Sequence, residues 1–280
     1  MLKSKIRVFI LSALVLFSFA VGINTYRDMS PEIRTVSGNT SSHVSLATTR
    51  DFSGWDALLK KYVRTATIDG VVINTVAYRS LKGDPGFKKV TEELKTASLG
   101  GLKTREEKLS FWINTYNILA VKVVVDNYPL KSIKDVGSLL KSVWKRPAGV
   151  VAGKERTLNE AEHEILRKMG DPRIHAAIVC ASVSCPDLRK EAYTPERLNE
   201  QLDDQMKKFL ENKGKGMKID LKKKRIYFSS IFKWFKGDFE SHGGVAKFVS
   251  QYVSPSQQKS LKDFGERKPG YLDYNWDLNG

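Results

Sequence analysis

The longest apolar pattern in the chain begins after Thr104 and ends before Pro129. Thr104 and Glu107 have the spacing of a capping box, which predicts a helix start, and the residue before a proline disfavours helical backbone. Between these signals, apolar side chains occur on nearly all sides of the helix, which is typical of a helix buried in a core. We therefore predict a buried central helix. Its apolar residues are Leu109, Phe111, Trp112, Ile113, Tyr116, Ile118, Leu119, Ala120, Val121, Val123, Val124 and Val125.

One narrow polar stripe interrupts this apolar helix. At about 100° per residue, Ser110, Asn114 and Asn117 share one narrow stripe. A buried amide without a hydrogen-bond partner costs on the order of 1–3 kcal/mol, so the stripe must face something polar. Two interpretations are open: the asparagines hold neighbouring backbone in place, or they take part directly in a functional site.

A second apolar run, rich in β-branched residues, extends from Ile174 to Ala181. A proline precedes the run and a serine-rich loop follows it. Short apolar runs between turn signals are typical of strands that are buried on both faces. We therefore predict a buried strand, with His175 near its start and Cys180 near its end, and with Cys185 in the loop that follows.

The helix predicted before this strand carries two ionisable residues. Thr157 and Glu160 form a second capping box, which predicts a helix from Leu158 to Met169. Glu162 falls within the apolar face of this helix and His163 flanks that face. A carboxylate on the buried side of a helix needs a hydrogen-bonded or charged partner. Either Glu162 and His163 form a structural pair, or they face the strand that carries the thiols.

The remaining pattern consists of hairpins and short helices. Asp69-Gly70 and Gly153-Lys154 predict tight turns between strands, and a basic hairpin is expected between Met217 and Phe228. Together with the helices, these hairpins favour an α+β domain. The last ten residues carry three aromatic side chains, so we expect this tail to pack back on the domain.

The N-terminal residues have the composition of an export signal. Three basic side chains among the first seven residues precede an apolar segment that ends in small residues near Ala20. We predict a cleaved signal peptide at residues 1–20, with an uncleaved anchor as the alternative. In either case the rest of the protein would lie outside the cytoplasm, in the periplasm or secreted.

Domain organisation and charge follow from the rest of the chain. Residues 21–50 are poor in large apolar side chains and predict a mobile linker, which leaves residues 51–280 as a single globular domain. The net charge is +16, but aromatic residues do not alternate with the basic runs. No nucleic-acid partner is therefore expected. The basic surface is either simply solvated or attracted peripherally to an anionic envelope surface.

The densest reactive chemistry lies around the two cysteines. In an oxidising compartment, Cys180 and Cys185 can form a local disulfide or remain thiols, and both states are open. Two cysteines and two histidines could in principle hold zinc, but the usual C-x-x-C pair is absent and half the ligands would lie on a buried strand. We therefore expect no metal and no cofactor.

A nucleophilic thiol needs a base within hydrogen-bond reach and a third group that orients the base. Because side chains alternate along a strand, His175 and Cys180 would point to opposite faces. His163 is therefore the expected base for Cys180. His175, Asn114 and Glu162 are the candidate supporting groups.

Four stretches resemble the domain-of-unknown-function family 547, an exported family in bacteria that also occurs in plants. They are Phe111–Asn117, Leu158–His163, Asp171–Pro186 and Tyr271–Gly280. The family pattern His-x4-Cys-x3-Ser-x-Pro falls on His175, Cys180, Ser184 and Pro186, which favours Cys180 over Cys185 as the nucleophile. The resemblance implies a fold similar to papain-like thiol peptidases, with the central helix against an antiparallel sheet. No cysteine lies at the start of the central helix, however, so the papain mechanism does not transfer directly.

Two functions fit these observations. The first is an exported domain with a Cys/His thiol site, acting as a thiol-dependent hydrolase or transferase on a peptide, an amide or a glutathione-like compound. The second is a non-catalytic envelope binding module, in which the Cys/His motif is structural. The first predicts one fast-reacting thiol, and the second predicts two inert or oxidised thiols.

Overall fold

A long buried helix stands at the centre of the fold. The computed structural model describes residues 51–138, 141–265 and 267–280, so the predicted signal peptide and linker lie outside the described residues. Within the described part of the chain, no helix is both long and apolar enough to cross a membrane. The helices are α1 (Ser53–Tyr62), α2 (Tyr78–Lys82), α3 (Pro85–Lys95), α4 (Arg105–Asn127), α5 (Ile174–Ala177), α6 (Leu198–Glu211), α7 (Ser230–Trp234), α8 (Val245–Ser250) and α9 (Pro255–Phe264).

Shorter helical turns and small sheets connect these helices. A π-helical segment covers Glu160–Leu166, and 3-10 turns cover Leu99–Gly101, Ile133–Val136, Val143–Lys145, Arg167–Met169 and Lys236–His242. The strands are β1 (Val63–Ile68), β2 (Val71–Val76), β3 (Pro147–Val151), β4 (Lys154–Thr157), β5 (Met217–Asp220), β6 (Arg225–Phe228) and β7 (Gly270–Tyr271).

The central helix α4 forms as its sequence predicts. The hydroxyl of Thr104 accepts a hydrogen bond from the Glu107 backbone N–H at 3.1 Å, and the Glu107 carboxylate accepts one from the Thr104 N–H at 3.1 Å. This capping box satisfies N–H groups that a helix start leaves unpaired. All the predicted apolar residues of the helix are buried, and the helix ends at Asn127, just before Tyr128. The prediction of a buried central helix is therefore confirmed.

Among the described residues, the β-structure is divided among three small sheets, and the fold belongs to the α+β class. β1 pairs with β2 as the predicted hairpin, and Asp69 and Gly70 at its turn have φ of +50° and +76°. β3 pairs with β4, and β5–β6–β7 form a third sheet in which β6 and β7 are parallel. A phenylalanine-rich cluster around β6, α7 and α8 packs beside the larger core that surrounds α4.

The prediction of a strand from Ile174 to Ala181 is wrong. The run is buried, but Ile174–Ala177 form the short helix α5, and irregular extended backbone follows. The N–H of Val179 donates to a side chain of α4, and the carbonyl of Ala181 accepts from the Asn279 backbone N–H at 3.1 Å. Because partners distant in sequence satisfy this backbone, the run needs no strand neighbours. His175 lies in α5 and Cys180 in the irregular segment after it, so the two side chains do not alternate across the faces of a strand as predicted.

Candidate thiol site

A cavity of about 310 Å³ brings together five of the six predicted site residues. Glu162, His163, His175, Cys180 and Cys185 all line it. Its walls come from both hydrophobic clusters, since they include side chains from α4 and from α7. Six aromatic side chains also line the cavity: Tyr116, Trp144, Trp234, Phe235, Tyr274 and Trp276. The cavity is therefore a largely apolar space with a few convergent ionisable groups, the usual composition of a small-molecule site.

The two asparagines of the polar stripe hold backbone in place. The Asn117 side-chain amide donates to the Ala177 carbonyl at 3.0 Å and accepts from the Val179 N–H at 3.0 Å. Asn114 makes the same pair of bonds with the backbone of Tyr193, at 2.7 and 3.0 Å. Asn114 does not line the cavity, whereas Asn117 fixes the segment that leads to Cys180. The structural interpretation of the stripe is thus confirmed for both asparagines.

The Cys180 sulfur lies within hydrogen-bond distance of two hydroxyl groups. It is 3.2 Å from the Ser182 hydroxyl and 3.2 Å from the Tyr274 hydroxyl. The hydrogen bond from the Cys185 thiol lowers the pKa of Cys180 most, and the bonds from Ser182 and Tyr274 add to this effect against the opposing effect of burial. As a result the pKa of the Cys180 thiol falls to about 7. Hydrogen bonds donated to a thiolate stabilise its charge.

The C-terminal tail supplies one of these two hydroxyl groups. The Val183 N–H donates to the Asp277 carbonyl at 2.9 Å, and the Ser184 N–H donates to the Asn275 carbonyl at 3.2 Å. These bonds confirm that the tail packs back on the domain. They also bring Tyr274 to the sulfur of Cys180, a role that sequence reasoning did not assign. In the sequence, only the aromatic residues of the tail indicated that it could contribute to the site.

The backbone after Cys180 has an unusual conformation. Ala181 has φ of +58°, in the left-handed region that residues with a side chain rarely adopt. Such conformations cost roughly 1–3 kcal/mol and persist where the surrounding structure holds them. Here the Ala181 carbonyl is held by Asn279, and the chain then turns so that the Cys185 N–H reaches the Ser182 carbonyl at 3.1 Å. This turn folds Cys185 back onto Cys180.

Glu162 is a buried carboxyl group on the same cavity. It projects from the π-helical segment, with only 6% of its surface exposed, and the Tyr116 hydroxyl donates to it at 3.4 Å. Burial is the main cause that raises the pKa of Glu162, to about 7, and the negative charge of Cys180 adds to it. Glu162 can therefore exchange a proton near neutral pH. The sequence also allowed a structural pair between Glu162 and His163. In the structure Glu162 instead bonds to Tyr116, and His163 bonds to Arg167.

The two histidines of the cavity are linked through an ion pair. Arg167 donates two hydrogen bonds to the Asp238 carboxylate, at 2.7 and 2.6 Å, and a third to the Nδ1 atom of His163 at 2.8 Å. Burial opposes ionisation of Asp238, but the bonds from Arg167 and His175 outweigh it, so the pKa of Asp238 is lowered. Asp238 is not among the predicted site residues, because it lies 63 residues from His175 and no local motif marks it.

One ring nitrogen of His175 is bonded to Asp238, and the other has no hydrogen-bond partner among the described residues. Its Nε2 atom lies 2.7 Å from the Asp238 carboxylate, which can only accept, so the proton is assigned to Nε2. The Nδ1 atom is buried and has no hydrogen-bond partner within the described residues. Burial is the main cause that lowers the pKa of both histidines, so the rings are neutral at pH 7. His175 also stacks on Phe235, with ring centroids 4.1 Å apart.

Two further observations bear on the cofactor and redox predictions. Among the residues described, no group of three or more His, Cys, Asp and Glu side chains is arranged to hold a metal ion. Cys180 and Cys185 are both free thiols, so the structure shows the reduced form of the two alternatives.

Fold and site together define an α+β domain with a hydrogen-bonded thiol pair in an aromatic cavity. Residues 99–210 match the model of the family described as "Protein of unknown function, DUF547". This match confirms the resemblance seen in the sequence, over a shorter range than expected. Six predicted site residues lie within it, whereas Asp238 and Tyr274 lie beyond it.

The chain matches no curated protein and no solved structure. The expected relationship to papain-like thiol peptidases therefore has no support from a known fold.

Proposed function

We propose that this domain is a cysteine-dependent hydrolase or acyltransferase that cleaves a peptide or amide bond, with Cys180 as the nucleophile and Glu162 as the proton donor. The observation that carries this proposal is the position of the Cys180 sulfur. It lies on the cavity within 3.2 Å of both the Ser182 and the Tyr274 hydroxyls. Thiolate, not thiol, is the reactive form of cysteine, and donors of this kind favour it.

Glu162 fits the second role because its environment keeps part of it protonated at neutral pH. Burial raises the Glu162 pKa most, the charges of Cys180 and Asp238 add to it, and Glu162 lines the same cavity as Cys180. In the first step, the Cys180 sulfur bonds to the carbonyl carbon, the C–N bond breaks, and the Glu162 proton passes to the leaving amine. In the second step, water or an acceptor amine attacks the thioester, the C–S bond breaks, and Glu162 takes the proton from the attacking group.

His163 remains an alternative proton carrier. It lines the same cavity, and its Nδ1 atom is occupied by Arg167, which leaves Nε2 as the atom that carries the ring proton. A neutral imidazole in this position can exchange protons with a substrate. The charges that shift its pKa are those of Arg167, Asp238 and Glu164, whereas Cys180 shifts that of Glu162. This difference favours Glu162 for the step at the sulfur.

The remaining walls indicate the kind of substrate. The Nδ1 atom of His175 is buried without a partner among the described residues, and a substrate N–H group, such as that of an amide, would satisfy it. Trp144, Trp234 and Trp276 surround the cavity with aromatic surface, which suits an apolar or aromatic substituent. We therefore assign the substrate to amides that carry such a substituent beside the bond that is cleaved.

Matched acyl probes test the assignment. The p-nitrophenyl ester and the p-nitroanilide of phenylacetic acid carry the same acyl group but differ in their leaving groups. Nitrophenolate leaves without a proton, whereas the anilide needs one. We expect the wild type to cleave both and Cys180→Ala to cleave neither. Glu162→Gln should slow the anilide by about 10²–10⁴-fold, the usual contribution of a general acid, and slow the ester much less.

The controls separate the two proton carriers. His163→Ala should affect the ester and the anilide equally if Glu162 is the donor. Selective loss of anilide cleavage in His163→Ala, with Glu162→Gln unaffected, would transfer the role to His163. Absence of any acyl group on Cys180 by mass spectrometry, together with slow alkylation of both thiols, would favour the non-catalytic binding module instead.

A further inference from the structure

The second cysteine has no role in the acyl transfer proposed above, yet it lies against the first. The Cys180 backbone N–H donates to the Cys185 sulfur at 2.9 Å. Both cysteines line the cavity, but Cys185 is buried, with 3% of its surface exposed, whereas Cys180 is half-buried. The turn between them is fixed by the left-handed Ala181 and by the bond from the Cys185 N–H to the Ser182 carbonyl. The fold thus holds a more exposed and a less exposed cysteine side by side on one cavity.

The two thiols also differ in their chemistry. The Cys185 thiol donates to the Cys180 sulfur, which lowers the pKa of Cys180, and burial raises the pKa of Cys185 well above its usual range. A thiol that ionises readily attacks first in thiol–disulfide exchange. A neighbouring thiol that stays protonated until then can attack second. This is the division of labour between a nucleophilic and a resolving cysteine.

We propose that Cys180 and Cys185 form a reversible disulfide by exchange with a small disulfide compound that enters the cavity. The Cys180 thiolate attacks one sulfur of R–S–S–R, the S–S bond breaks, and one RS⁻ leaves and takes a proton from water. Cys185 then loses its proton, and its sulfur attacks the Cys180 sulfur of the mixed disulfide. The second RS⁻ leaves and is protonated, so that one disulfide is reduced to two thiols and the protein dithiol is oxidised.

The resulting disulfide is suited to exchange rather than to holding the fold together. Four residues separate the two cysteines, so the bond closes a very short loop and gains little from restricting the unfolded chain. Its formation removes the thiolate of Cys180. The oxidised protein would then lack the nucleophile assigned above, so the same pair makes the site dependent on the thiol–disulfide balance around it.

Oxidised glutathione is the probe for this exchange. The chain contains two cysteines, so every thiol counted belongs to this pair. We expect the reduced full-length protein to lose both titratable thiols and the mass of two hydrogen atoms, with a peptide cross-linked between Cys180 and Cys185. Dithiothreitol should restore both thiols. A wild type that accumulates a stable glutathione adduct, or that does not react, overturns the proposal without any variant.

Single substitutions identify the order of attack. Cys185→Ser and Cys185→Ala should each stop at one glutathione on Cys180, and Cys180→Ser should react at least tenfold more slowly than the wild type. Rapid modification of Cys185 in Cys180→Ser would reverse the assigned roles. Exchange does not require a carbonyl substrate. If the disulfide forms but the acyl probes do not react, only the proposed hydrolase function is overturned. If the acyl probes react but no disulfide forms, only the proposed disulfide exchange is overturned.

Discussion

The Asn117 side chain accepts a hydrogen bond from the backbone N–H of Val179 at 3.0 Å, one residue before Cys180. It also donates to the Ala177 carbonyl, so one amide on the central helix satisfies two backbone groups of the segment that follows α5. Both asparagine and segment are buried. The position of the candidate nucleophile thus depends directly on the interior of the core.

Replacing Asn117 by alanine should therefore destabilise the protein. The change leaves the Ala177 carbonyl and the Val179 N–H without partners in the core, and an unsatisfied buried group costs roughly 1–3 kcal/mol. We expect a loss of at least that size in urea unfolding. Asn127→Ala is the matched control on the same helix, because Asn127 is exposed and bonds the Val123 carbonyl, so it should change stability little. Equal losses in the two variants would contradict the assigned role of Asn117.

Trp112 tests the central position of α4. Its side chain is 5% exposed, meets the Phe111 ring edge-on at 5.5 Å, and lies under the guanidinium of Arg156. Emptying a large aromatic site in a core usually costs about 3–5 kcal/mol. We expect a loss of this size for Trp112→Ala in denaturant unfolding. A loss below about 1 kcal/mol would show that the helix is peripheral.

Elements with strong local signals could be predicted from the sequence. The capping box at Thr104 and the apolar residues around the whole of α4 define that helix without help from the rest of the fold. The hairpin at Asp69-Gly70 has the turn residues that positive φ requires. The aromatic residues of the C-terminal tail correctly predicted that the tail packs on the domain. They did not predict that Tyr274 contacts Cys180.

The errors arose where partners are distant in sequence. An apolar run such as Ile174–Ala181 fits a buried strand as well as a turn of helix followed by extended chain, because neither leaves a distinctive period. Hydrogen bonds with the Asn117 side chain and with the backbone of the C-terminal tail hold the run in its irregular conformation. Asp238 was missed for the same reason, since its 3-10 turn reaches His175 only in the folded protein.

Tyr274→Phe should raise the pKa of the Cys180 thiol. The substitution removes the hydroxyl that lies 3.2 Å from the sulfur but keeps the aromatic ring. We expect the wild-type alkylation rate to rise with an inflection near pH 7, below the ordinary thiol value of about 8.5. The inflection should move toward that ordinary value in the variant. Tyr227→Phe changes a tyrosine outside the cavity and should leave the profile unchanged. A shared inflection in all three proteins would exclude Tyr274 as a donor.

Glu162 should make stability depend on pH in a direction opposite to that of most carboxyl groups. Burial raises its pKa from 4.5 to about 7 in the folded protein. Between these values the folded state holds a proton that the unfolded state has lost. The contribution of Glu162 is therefore fully present below about pH 4.5 and is lost as pH rises through 7.

Glu162→Gln removes this titration. We expect the free energy of unfolding of the variant, relative to that of the wild type, to rise by about 3 kcal/mol between pH 4.5 and pH 7, since one pKa unit corresponds to about 1.4 kcal/mol. Urea unfolding of both proteins at several pH values measures the difference. Glu164→Gln is the control from the same π-helical segment, because Glu164 is exposed and pairs with Lys168, and its pKa is lowered rather than raised. If the difference in free energy of unfolding between Glu162→Gln and the wild type stays constant across this pH range, the fold does not hold the Glu162 carboxyl protonated. That result would contradict the assignment of Glu162 as proton donor.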